Sequence, residues 1–412
     1  MLDKFGIREI ALMDPRRNPY APGAGSTPPE LAGRDDVLER TSVMLDRLVA
    51  GKHTRGFIFY GLRGVGKTVL LQRVLLNAEA NGVAIVEIEA PEDQSLPAML
   101  APALRATLIR MSKGEAAKAM VKRAFGALAA FVRATKIKYE DIELSMDFIG
   151  EEGIADSGDL ELDLGDLLIA VGEAAADRHT AVILFIDELQ YVKEKQLAAL
   201  IKALHKTSQK QLPITLVAAG LPQLLAQMGR AKSYAERLFE FVEIGPLDEK
   251  DGVRALRVPS AKENVEFSDD ALTIIFSQTQ GYPYFIQEWG KHAWNTAMHS
   301  PISRHDAITA GTIALADLDA SFFRVRFDRL APAEKRYARA MATLGPGPYR
   351  TGDIAKVIGE KTSTVGPVRA RLIKKGMAYG PSHGDTAFTV PLFADFLTRT
   401  MPWPQPPDSN VE

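Results

Sequence analysis

GLRGVGKT, residues 61–68, decides the reading of this chain. It fits G-x-x-x-x-G-K-[ST], the P-loop pattern. A phosphate chain is dense in negative charge and needs backbone N–H donors at close range, which Gly61, Gly64 and Gly66 can present because they lack side chains. Leu62, Arg63 and Val65 complete the loop, Lys67 adds a point charge for the outer phosphates, and Thr68 offers a hydroxyl to Mg²⁺. Thr68 and Val69 open a helix whose positive end faces the same anion. The context agrees: residues 56–60, GFIFY, are apolar and β-prone, and residues 69–76, VLLQRVLL, read as a buried helix. Strand, loop and helix is the order the motif requires.

Outward from the loop, 412 residues leave room for two or three domains. With 46% hydrophobic and 25% charged residues and a net charge of −2, the chain is ordinary for a globular protein, so a nucleic-acid partner must be sought in local charge. It has no cysteine, which excludes disulfides, thiolate catalysis and cysteine-ligated zinc. The seven histidines show no metal spacing. Residues 1–13 lack the apolar core of a signal peptide, and no run approaches a bilayer span, so the expectation is a soluble, cytoplasmic protein without membrane contact.

Residues 1–30, rich in proline and glycine from Pro15, read as an extended arm. An amphipathic helix follows to about Val49. Beyond the loop, apolar runs at 83–89, 181–186, 214–219 and 240–244 make five strand candidates with residues 56–60, separated by helices. A continuous run such as Ala181-Val182-Ile183-Leu184-Phe185-Ile186 lacks alternation because both faces are buried, so it belongs inside a parallel sheet. The expected class is α/β, with ligand at the carboxyl ends of the strands. An insertion at about 113–165 holds a helix carrying Lys118, Lys122, Arg123 and Arg133, read as a partner surface or a solvated face; a strand pair at 136–139 and 142–148; and an acidic loop from Glu151.

Asp187 and Glu188 end the third run. An acidic residue at the end of a neighbouring strand can hold Mg²⁺ through water, which suits Asp187; Glu188 is then placed to orient or polarise an attacking water.

Gly33-Arg34, GLRGVGKT and FIDELQ (185–190) together resemble the AAA+ ATPases, nearest their origin-recognition and initiator-like branch. Residues 219–224, AGLPQL, with 234–238, YAERL, also resemble secretion and transposition helper ATPases, and SYAERLF, GYPYFIQEWG and FTVPLF resemble an actinobacterial group of ATP-binding proteins. The resemblance covers about residues 15–400. It implies a P-loop ATPase domain over 31–245 that binds and hydrolyses ATP with Mg²⁺, and a helical lid over 246–328. It also implies an arginine finger at Arg237, reaching the nucleotide of a neighbouring subunit in a homo-oligomer. The alternative for Arg237 is an ion pair with Glu236 or Glu240. Two departures point to hydrolysis that is slow or partner-triggered. The usual polar sensor position holds Ala218-Ala219-Gly220, leaving Gln223 as a displaced candidate, and Gly281-Tyr282-Pro283-Tyr284 lacks the arginine that relatives place nearby.

Residues 329–400 read as three helices and a two-stranded ribbon at 377–379 and 387–390, a winged helix-turn-helix; residues 401–412 read as a disordered tail. Between Asp328 and Arg399 there are twelve Lys and Arg against six Asp and Glu, a net +6 against −8 for the remainder. Arg369, Arg371, Lys374 and Lys375 cluster in the expected recognition helix and Lys361 precedes it, so these five are the candidate DNA contacts. Pro367 fits this helix if Thr364 caps it, which puts the proline in the first turn. The competing readings are a nucleotide-gated switch with a protein partner, and a mobile-element or defence helper.

Overall fold

The computed structural model describes residues 13–23, 25–92, 94–112, 118–136, 154–382 and 384–403. Residues 1–12, nearly all of the strand pair expected over 136–148, the first three residues of the acidic loop and the tail beyond 403 lie outside the described residues. The described residues form two compact units: those within 34–61 and 67–244, and those up to 33, within 62–66 and from 245 onward.

The first holds a parallel five-stranded sheet. In chain order its elements are α1 (Asp35–Val49), β1 (Gly56–Tyr60), α2 (Lys67–Ala80), β2 (Ala84–Glu89), α3 (Leu96–Met111), α4 (Lys118–Ala134), α5 (Leu160–Asp177), β3 (Val182–Asp187), α6 (Glu194–Gln209), β4 (Ile214–Gly220), α7 (Gln223–Ala231), α8 (Ala235–Leu238) and β5 (Phe239–Glu243). The strand order is β2-β3-β4-β1-β5, so the chain leaves β1 for the far edge and returns strand by strand before passing beyond β1 to β5. All five expected strands form. Val182 to Ile186 are fully buried, as their unbroken apolar run requires. One expectation needs correction: β3 does not adjoin β1, because β4 pairs with both, Ile58 facing Ala218 and Ile186 facing Ala218 from the other side. In the insertion, α4 buries Val121, Phe125, Leu128 and Phe131 in the core, while Lys122 and Arg133 are exposed and Arg123 pairs with Glu173 at 2.6 Å. Lys122, Arg123 and Arg133 thus lie on the face turned away from the core, and the side chain of Lys118 is outside what the structure describes.

The second unit is helical, with α9 (Glu249–Lys262), α10 (Asp269–Thr279), α11 (Pro283–Thr296), α12 (Arg304–Leu318), α13 (Arg324–Asp328) and α14 (Pro332–Thr343), α12 passing into α13 through a π-turn at Asp319–Phe323. Then come β6 (Tyr349–Arg350), α15 (Thr351–Ile358), α16 (Thr362–Lys374), β7 (Ala378–Tyr379), β8 (Asp385–Phe388) and α17 (Phe393–Thr400), the three strands forming an antiparallel sheet in the order β6-β8-β7. Three helices followed by two strands is the element order expected from the sequence, and the structure adds β6 and α17 to it. The arm is not simply extended. Residues 15–17 form a 3-10 turn, Tyr20 is buried with its hydroxyl donating to the Leu256 carbonyl, and the Trp294 indole donates to the Asp14 carbonyl at 2.9 Å. Among the described residues no helix is long and apolar enough to cross a membrane.

Candidate functional site

The loop leaves β1 at Tyr60 and enters α2 at Lys67. Gly64 and Gly66 have φ of 82° and 91°, the left-handed region that side chains disfavour, so these two glycines are demanded by backbone shape. The first turn of α2 carries no acidic residue, which keeps its positive end available to an anion. Leu70, Leu71, Val74 and Leu75 bury the helix's inner side and fix its direction.

At the start of α2 the Thr68 hydroxyl donates to Asp187 Oδ2 at 2.6 Å. The hydroxyl and the carboxylate, 119 residues apart in sequence, therefore meet although β4 lies between their strands. Burial raises the pKa of Asp187; the Thr68 hydrogen bond and the Glu188 N–H oppose that, the Glu188 charge adds to it and Lys67 works against it. The Glu188 N–H donates to Asp187 Oδ1 at 2.7 Å. Glu188 itself has φ 52°, an uncommon conformation for a residue with a side chain, and it begins the 3-10 turn Leu189–Tyr191. Its carboxylate accepts from Gln190 Nε2.

Gln190 is the residue the sequence reading passed over. It is buried, its Oε1 accepts from the Leu221 N–H at 3.0 Å, and its carbonyl accepts from Gln227 Nε2 at 3.2 Å. The available signal was a polar side chain two positions after the acidic pair, in a stretch where Leu189 and Val192 are core. Gln223, the displaced sensor candidate, makes no such link: its Oε1 is buried without a hydrogen-bond partner among the described residues.

Residues 62–66 pack within the helical unit. There the Tyr284 N–H donates to the Gly64 carbonyl at 3.2 Å, and the Arg63 N–H donates to the Thr389 carbonyl at 2.9 Å. An arginine of this unit, Arg326, lies on α13. Arg326 lies 3.7 Å from the centre of the Phe322 ring and donates to the Phe322 carbonyl at 2.7 Å. Burial, with the Arg63 charge adding to it, pulls its pKa down to about 10. Burial likewise pushes Tyr284 up to about 12.

Arg237 is exposed on α8 and makes no ion pair among the described residues. The expected pairing with Glu240 is not made, because Glu240 pairs with Arg40 and lies 3.8 Å from Arg55. Arg237 instead lines an open groove of about 720 Å³ with Arg40, Arg47, Arg55 and His53, among them Asp36, Glu39 and Glu240.

In the C-terminal region α16 starts at Thr362, so Pro367 is interior to the helix rather than in its first turn. The bond it forfeits would go to the Ser363 carbonyl, on an exposed residue of the first turn where water can replace it. Of the five basic candidates, Arg371 and Lys375 bond the buried Glu334 at 3.2 and 2.7 Å. Arg369 bonds Thr386 Oγ1 at 2.8 Å and the Asp385 carbonyl at 2.5 Å. Lys361 and Lys374 are exposed.

A family model described as AAA ATPase domain matches residues 30–217, and one described as a domain of unknown function (DUF8462) matches residues 320–397. No curated protein matches the chain. Among solved structures the chain is similar to the Walker-type ATPase PABY2304 of Pyrococcus abyssi, with 15% identity, 89% of this chain and 96% of that one covered, and a TM-score of 0.56, a likeness of fold. Looser likenesses, each at 15% identity and a TM-score of 0.47, are to the Aeropyrum pernix Orc1 protein in complex with DNA, covering 93% and 96% of the two chains, and to Cdc6p from Pyrobaculum aerophilum, covering 94% and 98%.

Proposed function

We propose that the chain binds ATP with Mg²⁺ at Gly61–Thr68, hydrolyses it with Asp187 and Glu188, and couples nucleotide state to its C-terminal domain, a reading supported by the match of residues 30–217 to a model described as AAA ATPase domain. The observation that carries the reading is the 2.6 Å contact of Thr68 with Asp187, which joins the hydroxyl opening the loop helix to the carboxylate ending β3. These residues fit Mg²⁺. The ion prefers hard oxygen ligands and keeps several waters, so a hydroxyl and one carboxylate suffice beside the phosphates. No cluster of three or more metal-ligating side chains occurs among the described residues. When bound, the ion neutralises charge on the outer phosphates. Lys67 holds those phosphates, and Glu188 accepts a hydrogen bond from the attacking water and orients it. Arg237, exposed and without an ion pair among the described residues, supplies positive charge to a site on a second copy of the chain, so turnover depends on assembly.

At the output end, Lys361 and Lys374 support contact with DNA phosphates. A second reading, a switch with a protein partner, is favoured by Glu334, which already engages Arg371 and Lys375.

The test is a pair of variants. Lys67→Ala is expected to weaken ATP binding roughly ten- to hundredfold, the worth of a hydrogen bond to a charged group. Glu188→Gln is expected to bind ATP normally and not turn over. Undiminished ATP affinity in the first variant would remove the assignment.

A further inference from the structure

The end of β4 carries no polar side chain, yet a hydrogen-bonded relay runs through it. The Gly220 carbonyl accepts from the N–H of Gly61, the first residue of the loop, at 3.2 Å. On the other side of the same peptide group, the Leu221 N–H donates to Gln190 Oε1 at 3.0 Å. Gln190 Nε2 then donates to Glu188 Oε2. The direction of the carboxamide is dictated by chemistry: an N–H can meet only its oxygen, and a carboxylate can meet only its nitrogen. Gln190 is 5% exposed, so water does not compete for these bonds. Gly220 is what lets the carboxamide come so near, since a Cβ there would lie 2.7 Å from Gln190 Oε1.

We propose that Gln190 is a positioning residue for hydrolysis: it holds the Glu188 carboxylate in its working orientation and ties that orientation, through the Gly220–Leu221 peptide, to Gly61 of the phosphate loop. The inference rests on the reading of Glu188 as the residue that orients the attacking water. It also accounts for Ala218-Ala219-Gly220. A polar side chain at the strand end is dispensable because the backbone there, joined to Gln190, reaches the glutamate. A shift of the loop at Gly61 moves the Gly220–Leu221 peptide, and with it the acceptor that anchors the carboxamide.

The experiment compares kcat, KM and ATP affinity for three variants and one double variant of the full chain. Gln190→Met removes both ends of the relay. Gln190→Glu keeps an acceptor for the Leu221 N–H while replacing the donor to Glu188 with a second carboxylate. Gly220→Ala pushes the carboxamide aside without touching Gln190. Each is expected to lower kcat by roughly ten- to hundredfold, the effect of removing a partner that orients a working ligand, with ATP affinity, read from a fluorescent ATP analogue, within about twofold. The double variant Gly220→Ala with Gln190→Met is expected to be no slower than Gln190→Met alone, because both break one relay. A kcat in Gln190→Glu within about twofold of the parent, an equal loss of ATP affinity, or multiplicative losses in the double variant overturns the proposal. Should Glu188→Gln itself turn over at the parent rate, the role of Glu188 falls first, and that result is independent of every Gln190 variant.

Discussion

Glu334→Gln is the perturbation that bears most directly on what the C-terminal domain touches. Glu334 is 1% exposed at the start of α14, where its Oε2 accepts from the Ala331 N–H at 2.9 Å and from Lys375 at 2.7 Å, and its Oε1 accepts from Arg371 at 3.2 Å. Burial raises its pKa, but the Lys375 and Ala331 hydrogen bonds and Arg371 outweigh it, leaving the carboxyl below its ordinary value. A depressed folded pKa means stability that is present above the unfolded value and lost as pH falls through the folded one. A glutamine keeps one oxygen, which serves Lys375 and Ala331 best, and turns its NH₂ toward Arg371, so Arg371 is released first. The Arg371 and Lys375 side chains are 51% and 32% exposed, so solvent already screens part of the attraction. The cost in stability is therefore about 1–2 kcal/mol rather than the larger figure for a fully buried pair. The variant should also lack the part of the acid-induced stability loss that comes from this carboxyl. If DNA is the partner, freeing one or two cations steepens the log–log dependence of affinity on salt by about one or two, and raises affinity at 0.1 M salt by at most a few tens of fold. The assay is fluorescence anisotropy with duplex DNA across a salt series, beside a melting curve for each protein. A folded Glu334→Gln protein with unchanged affinity and slope would refute the idea that Arg371 and Lys375 are phosphate contacts held in reserve, and would leave the protein-partner reading in possession.

Two further outcomes follow from the site. Subunits carrying Arg237→Ala and subunits carrying Lys67→Ala, each inactive alone, should recover part of the ATPase rate when mixed if Arg237 acts on a neighbour's nucleotide; the absence of rescue in a steady-state assay would assign Arg237 to its own groove with Arg40 and Arg55. Asp187→Asn should melt above the parent at pH 7 without nucleotide, because burial raises the Asp187 pKa and the parent loses stability as pH rises through that window from 3.8 upward. The two melting temperatures should converge as pH falls below the ordinary value of 3.8, where the Asp187 carboxyl becomes neutral in the folded and the unfolded chain, and Mg²⁺-dependent turnover should be absent in the variant at every pH.

What the sequence determined by itself is local and periodic. Residues 182–186 had to be a strand buried on both faces because an unbroken apolar run of that length has no solvent side, and Gly64 and Gly66 had to be glycine because their backbone is left-handed. The apolar spacing of α2 and the acidic pair at Asp187 and Glu188 were equally legible, since each lies within a few residues of what gives it meaning. Tertiary structure decided what depends on partners far apart in the chain. Strand order placed β4 between β1 and β3, and no run of residues encodes its neighbours in a parallel sheet. Gln190 gained its place from Leu221, Glu334 took two of the cations that charge counting had assigned to DNA, and Tyr20 turned part of an apparent arm into a buried anchor. In each case the deciding quantity is the desolvation of a polar or aromatic group. Burial sets that cost, and burial is a property of the packed chain.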